Sequence, residues 1–191
     1  MTETMSSLRQ GLNPRQAETA ERLLAAGEVE LETVGPDALT IRTVAQRAGV
    51  SPATAYTYLA SKHHLFAELF WRRLAALEPP SAPDAPALER VRAVTRQMAG
   101  LLASSPHLAT AANLALLGTD PEVDRLRIKI GAGILGRFAD AVGEPAAPDV
   151  VEALTYAFSG ALLQAGMGLL TYDELADRLD AVVAVILEGH R

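Results

Sequence analysis

Gly131, Gly133 and Gly136 stand at the spacing of a dinucleotide-binding loop, behind an alternating run from Arg125 to Ile130 and ahead of Asp149. A loop of that kind needs a strand before it and further parallel strands beside it, and alternating β-branched runs are otherwise nearly absent. Read with a helical period, Val123, Leu126, Ile130, Ile134, Phe138 and Val142 share one face after an Asp120-Pro121 start. The glycines then become points of close helix contact or a kink. An all-α nucleotide-binding enzyme using these glycines is the weaker reading. The histidines His63, His64, His107 and His190 show no carboxylate–histidine spacing that would suit zinc. With no cysteine in the chain, disulfides, thiolate metal sites and cysteine nucleophiles are excluded. No serine elbow, P-loop or paired-carboxylate site stands out, so the expectation is no enzyme, no metal and no cofactor.

A different constellation is far denser. Residues 41–58 read Ile-Arg-Thr-Val-Ala-Gln-Arg-Ala-Gly-Val-Ser-Pro-Ala-Thr-Ala-Tyr-Thr-Tyr. Two short helices that cross steeply need a small residue where the backbones approach, which Ala45 supplies. Gly49 accepts the left-handed conformation that ends the first helix. Val50 turns into the shared core with Val44 and Ala55, Ser51 caps the second helix, and Pro52 occupies its first turn. This is the grammar of a helix-turn-helix. The second helix would lie in the major groove with Ala53, Thr54, Thr57 and Tyr58 toward bases or backbone, Ala53 suiting a thymine methyl. Ser51 at the helix start belongs to the same DNA-facing set. Thr40, Arg42, the Tyr56 hydroxyl and Lys62 suit phosphates, and Lys62 also opens a helix N-terminus.

Charge is distributed accordingly. The formal net charge is −6, which argues against a general nucleic-acid coat. Yet between Thr40 and Arg73 the cations Arg42, Arg47, Lys62, Arg72 and Arg73 face one acid, Glu68. Such a segment fits a DNA-reading surface; a solvated helix face fits it equally well.

The elements that must position these residues are all helical. Asn13-Pro14 starts a first helix whose face is Ala17, Ala20, Leu24, Gly27, Leu31 and Val34, ended by Gly35-Pro36-Asp37. Short helices follow Thr40 and Ser51, and Ser61 caps a longer one reaching about residue 77. The proline-rich stretch from Pro79 to Pro86 is a linker or ordered loop. Helices resume beyond it, broken near Ser105-Pro106, Gly118 to Pro121, Gly143 to Pro148 and Leu170 to Tyr172.

The pattern from Thr40 to Leu65 resembles the N-terminal domain of the TetR family of bacterial repressors, through Thr40, Ala48-Gly49-Val50-Ser51, Thr54, Tyr56 and Ser61-Lys62. It departs at Ala53, Thr57, Tyr58 and Leu59, where the family more often carries glycine, tyrosine, histidine and phenylalanine. The resemblance implies an all-α chain: a three-helix DNA-binding domain at 13–60, a connecting helix at 61–78, and an effector-binding and dimerisation domain at 87–191. It also implies that the last two helices, near 149–170 and 172–188, pair across a homodimer axis.

Residues 153–170 carry no charge, but Tyr156, Ser159, Gln164 and three glycines make a poor membrane span. In the following helix Leu175, Leu179, Val182, Val183 and Ile186 form the apolar stripe, with Asp173, Glu174, Asp177 and Asp180 opposite. Many helices and few aromatics leave room for an apolar effector cavity. Trp71, Met98, His107, Asn113, Phe138, Tyr156, Gln164 and Met167 are its candidate lining. The expected function is a cytoplasmic, non-membrane regulator of a double-stranded operator, released by a small, mostly apolar effector. A ligand-independent helix-turn-helix regulator is the alternative.

Overall fold

The computed structural model describes residues 13–80, 84–145 and 147–189. The polar N-terminus at 1–11, residues 81–83 of the proline-rich stretch, and His190 lie outside the described residues.

Every element among the described residues is helical, in the order α1 Pro14–Ala38, α2 Ile41–Arg47, α3 Pro52–Tyr58, α4 Lys62–Ala75, α5 Ala87–Ala103, α6 Pro106–Leu117, a 3₁₀ turn Pro121–Val123, α7 Asp124–Val142, α8 Pro148–Gly166 and α9 Tyr172–Glu188. Starts are written locally. Proline opens α1, α3, α6, the 3₁₀ turn and α8, where its missing N–H has no intrahelical partner to lose. Asn13 with Gln16, Thr40 with Thr43, and Thr171 with Glu174 form reciprocal capping boxes. Within α1 the backbone breaks at Gly35 (φ 75°, ψ 171°), so the helix proper ends there, as its Gly-Pro-Asp signal predicts.

Two compact units result, one of residues up to Ala76 with His107–Lys129, the other of Leu77–Pro106 with the residues from Ile130 on. The division at residue 87 expected from the sequence differs from this, because α6 and the start of α7 group with the N-terminal helices. In the first unit α1 packs on α2 and α4, and α2 on α3. Leu23, Leu24 and Leu31 of α1, Val44 and Ala45 of α2, Ala55 of α3, and Leu65, Phe66 and Leu69 of α4 are buried. The α1 face therefore runs as read through Ala20, Leu24, Gly27 and Leu31, while Val34 is exposed and Ala17 half-buried.

In the second unit α9 packs on α5 and α8. The α9 stripe splits. Leu175, Leu179 and Val183 point inward, whereas Val182 is exposed and Ile186 half-buried. Asp180, assigned to the solvent side from sequence, instead faces α5, where Arg96 bonds its carboxylate and Arg92 approaches to 4.0 Å. Residues Arg125 to Ile130 are helical, which removes the strand a dinucleotide loop would need, and Val123, Leu126, Ile130, Ile134 and Phe138 are buried on the helical period. Val142 is only half-buried. Gly131 and Gly136 are not points of close contact: a Cβ at either would meet nothing within 4 Å. No helix among the described residues is long and apolar enough to cross a membrane.

Candidate nucleic-acid interface

The corner between α2 and α3 is built by three local devices. The Thr40 side chain accepts from the Thr43 N–H (3.1 Å), while the Thr43 hydroxyl receives the Thr40 N–H (3.3 Å), so α2 starts at a fixed place. At its other end the Val50 N–H donates to the Ala45 carbonyl (3.0 Å) and the Gly49 N–H to Gln46 (3.2 Å). That is a Schellman motif with Gly49 at the left-handed position, φ 66°. Ser51 then accepts from the Thr54 N–H (3.1 Å) and opens α3.

These caps orient α3 so that Ala55 and the following Leu59 are fully buried, while Ser51, Pro52, Ala53, Tyr56 and Thr57 are exposed and Thr54 and Tyr58 half-buried. Tyr56 is 51% exposed, so it is no core aromatic. Val50 is only half-buried beside the buried Val44 and Ala55. The hydroxyls are partly engaged: Thr57 donates to the Ala53 carbonyl (3.1 Å), and the Thr54 and Ser51 hydroxyls bond one another (2.9 Å). Thr40 and Arg42 are exposed on the neighbouring α2 edge.

The locally basic segment turns out to be largely compensated. Arg47 Nε donates to Glu30 (2.8 Å), Arg72 pairs with Glu21 (2.8 Å) and Arg73 with Glu28 (2.7 Å), all three acids lying on α1. Glu30 is 7% exposed, and the Arg47 hydrogen bond holds its carboxyl below the usual carboxylate range, against the opposing effect of burial. Lys62 reaches back to the carbonyls of Pro36 (3.2 Å) and Asp37 (3.5 Å), an attachment sequence reasoning missed. Glu21 and Glu28 recur seven residues apart on α1, a pattern that signals a charged face with partners.

The eight residues named for an effector are divided between the two units. Trp71, His107 and Asn113 belong to the first unit; Met98, Phe138, Tyr156, Gln164 and Met167 to the second. Met98 and Phe138 are buried core, Phe138 edge-to-face with Phe158 at 6.2 Å. Trp71 carries the Lys129 ammonium 4.5 Å from its ring centre, and His107 stands 3.9 Å from Glu32. Tyr156 and Gln164 share an open groove between α8 and α9, and Met167 is exposed. A separate cavity of about 180 Å³ in the second unit is lined by Pro79, Pro80, Arg90, Val94, Arg137, Asp140 and Ala141. Arg90 is occupied there by the Ala141 and Val142 carbonyls (2.9 and 2.8 Å), and burial pushes the Arg137 guanidinium below its ordinary range. Among the described residues no group of three or more His, Asp or Glu side chains is placed to hold a metal.

Comparison with known proteins agrees with this corner. The family described as bacterial regulatory proteins, tetR family, matches residues 23–69. An uncharacterised HTH-type transcriptional regulator of Mycobacterium tuberculosis is 44% identical over 179 residues, spanning 93% of this chain and 84% of the relative, and one from Mycobacterium bovis shows the same values. Among solved structures, a TetR transcriptional regulator from Rhodococcus sp. RHA1 superposes with a TM-score of 0.76 at 19% identity, covering 92% of this chain and 98% of that one. The regulator FadR from Bacillus subtilis, in complex with stearoyl-CoA, gives 0.63 at 19% identity, covering 88% and 98%.

Proposed function

Since the chain belongs to the TetR family of bacterial helix-turn-helix transcriptional regulators, we propose that it is a dimeric repressor whose α3 reads a duplex operator and whose second unit takes a small effector that releases it. The observation that carries the DNA reading is the bare outer face of α3, held rigid by the Thr40, Gly49 and Ser51 caps. Its side chains are short and mostly uncharged. The Thr57 proton is engaged by the Ala53 carbonyl, so at a base edge its oxygen accepts, matching the amino group of adenine or cytosine. Ala53 offers a methyl contact to thymine. Thr40, Arg42 and Tyr56 take phosphates.

Because Arg47, Arg72 and Arg73 are paired internally, few cations remain for phosphate. With Lys62 held on the Pro36 and Asp37 carbonyls and Arg42 acting on each half-site, two phosphates are neutralised per dimer, so log K against log salt should slope by roughly −2. A slope near −10 in a salt titration would mean that the internal ion pairs open on DNA.

Dimerisation through α8 and α9 is supported by the apolar side chains these helices leave uncovered: Leu163, Met167, Val182 and Val185, the last 71% exposed. Val185→Asp should shift the sedimentation coefficient to that of a monomer with helicity unchanged, and a dimer that persists would place the interface elsewhere.

For the effector, the cavity beside Val94 and Ala141 provides an apolar wall with Arg90, Arg137 and Asp140 as polar groups. Its volume is below the range of about 300–1,000 Å³ for drug-sized ligands, so a larger effector would require it to open. The stearoyl-CoA bound to the Bacillus subtilis FadR is an instance of a ligand carried on this fold. Selection from a random duplex library should enrich an inverted repeat, its half-sites about one helical turn apart or a multiple of it. A library left unenriched would reject operator recognition. Compounds that raise the melting temperature should then speed dissociation from that DNA; binders that leave it unchanged would favour the ligand-independent regulator.

A further inference from the structure

Ser61 and Lys62 sit side by side at the start of α4 and reach in different directions. Lys62 donates to the Pro36 and Asp37 carbonyls, just before Thr40 caps α2. Ser61 uses its hydroxyl twice: the oxygen accepts from the His64 N–H (3.0 Å) and the proton goes to Asp120 Oδ2 (2.5 Å). Asp120 is the cap of the 3₁₀ turn, its other oxygen accepting from the Glu122 N–H (3.0 Å), and His63 Nδ1 stands 3.9 Å away. The turn is itself gripped by Arg127 of α7, which donates to the carbonyls of Leu116 (3.1 Å), Gly118 (2.6 Å) and Asp120 (3.2 Å) and to the Asp124 carboxylate.

Four side chains therefore make one polar relay inside the first unit, from α7 through the 3₁₀ turn and the α4 start to the corner between α1 and α2. The Ser61 hydrogen bond, aided by the Glu122 N–H and the nearby His63 and His64, holds the Asp120 carboxyl below the usual carboxylate range despite partial burial. It is thus an ionised, acceptor-only group, suited to a short charge-assisted bond.

We propose that Asp120 is a positioning residue for DNA recognition: through Ser61 it fixes the N-terminus of α4, and through Lys62 the corner on which the helix-turn-helix is built. Asp120 lies 62 residues beyond Tyr58, the last residue of α3, so only the fold brings it there. The inference rests on the DNA-reading function proposed above. Its physical basis is pre-organisation: a corner ordered before binding need not be ordered by the DNA.

The test uses the full-length protein and duplex DNA enriched by the wild type, at a temperature where circular dichroism shows every variant folded. Asp120→Ala should bind that DNA about 5–20-fold more weakly. Asp120→Asn, which still accepts from Ser61, should stay within about twofold of wild type. Asp124→Ala, which alters the same turn but not the link to α4, should do likewise. In a double-mutant cycle, the loss caused by Asp120→Ala should shrink to less than about twofold when Ser61 is already alanine, because the bond it removes is then absent. The proposal is overturned if Asp120→Ala binds like wild type, if Asp124→Ala loses as much, if the Asn variant is not rescued, or if the two losses multiply. Failure of the underlying DNA reading shows separately, as a wild type that enriches no sequence, and the positioning role falls with it.

Discussion

Thr57→Glu should abolish specific operator binding, by at least about 100-fold, while leaving the melting temperature within roughly 2 °C of wild type. The two halves of that result have different origins. Thr57 is exposed on the outer face of α3, and its hydroxyl donates to the Ala53 carbonyl of the same helix. Losing that bond removes a contact that itself competes with the helix, so stability scarcely changes. In the proposed complex the new carboxylate meets phosphates and base-edge acceptors, and like-charge contact of that kind costs several kcal/mol. Fluorescence anisotropy with the enriched duplex measures the first quantity and a thermal melt the second. Retained binding would remove Thr57 from the interface.

The second large effect concerns the internal ion pair. Arg47→Met should destabilise the protein by about 1–2 kcal/mol at neutral pH, lowering the melting temperature by roughly 3–6 °C. The figure sits low because the Arg47 side chain remains 40% exposed and is screened by solvent, although the Glu30 side chain is only 9% exposed. Its pH dependence has a definite sign. The Glu30 carboxyl is held below its ordinary value in the fold, so the pair's stabilisation is present above the unfolded carboxylate pKa, near 4.3. It is lost as pH falls through the lower folded value. In the variant only burial and Thr43 act on Glu30, and protonation relieves the buried charge. The gap between wild type and Arg47→Met should therefore narrow as pH drops from 7 toward 4. A gap independent of pH would show that Arg47 contributes through packing rather than through its charge. DNA affinity should fall alongside stability, since this pair ties α2 to α1.

The helix-turn-helix was legible because its determinants are local. Thr40, Gly49, Ser51 and Pro52 each fix the backbone within a few residues of themselves, and the structure carries every one of those caps. The helical reading of the glycine-rich α7 succeeded for a related reason, since Leu126, Ile130, Ile134 and Phe138 keep one period regardless of neighbours.

What escaped was set by distant partners. Arg47, Arg72 and Arg73 look like a DNA-facing charge cluster until α1 brings Glu30, Glu21 and Glu28 beside them, 17 to 51 residues away in the chain. Lys62 reads as a phosphate anchor, yet its ammonium closes onto the end of α1. Asp180 looks solvated until Arg96 is seen to meet it. The effector residues were the least legible. Met98 and Phe138 have the composition of either a cavity wall or a filled core, and the structure makes them core. The cavity itself is walled by Pro79, Pro80, Val94 and Ala141, whose types give no hint of a ligand.

Whether α3 reads base sequence is decided by comparing the duplexes enriched by wild type with those enriched by Thr57→Ala. The two motifs should differ at the same one or two base pairs in each half-site, with affinity for random DNA unchanged. Identical motifs, with equal losses on enriched and random DNA, would contradict base reading by α3.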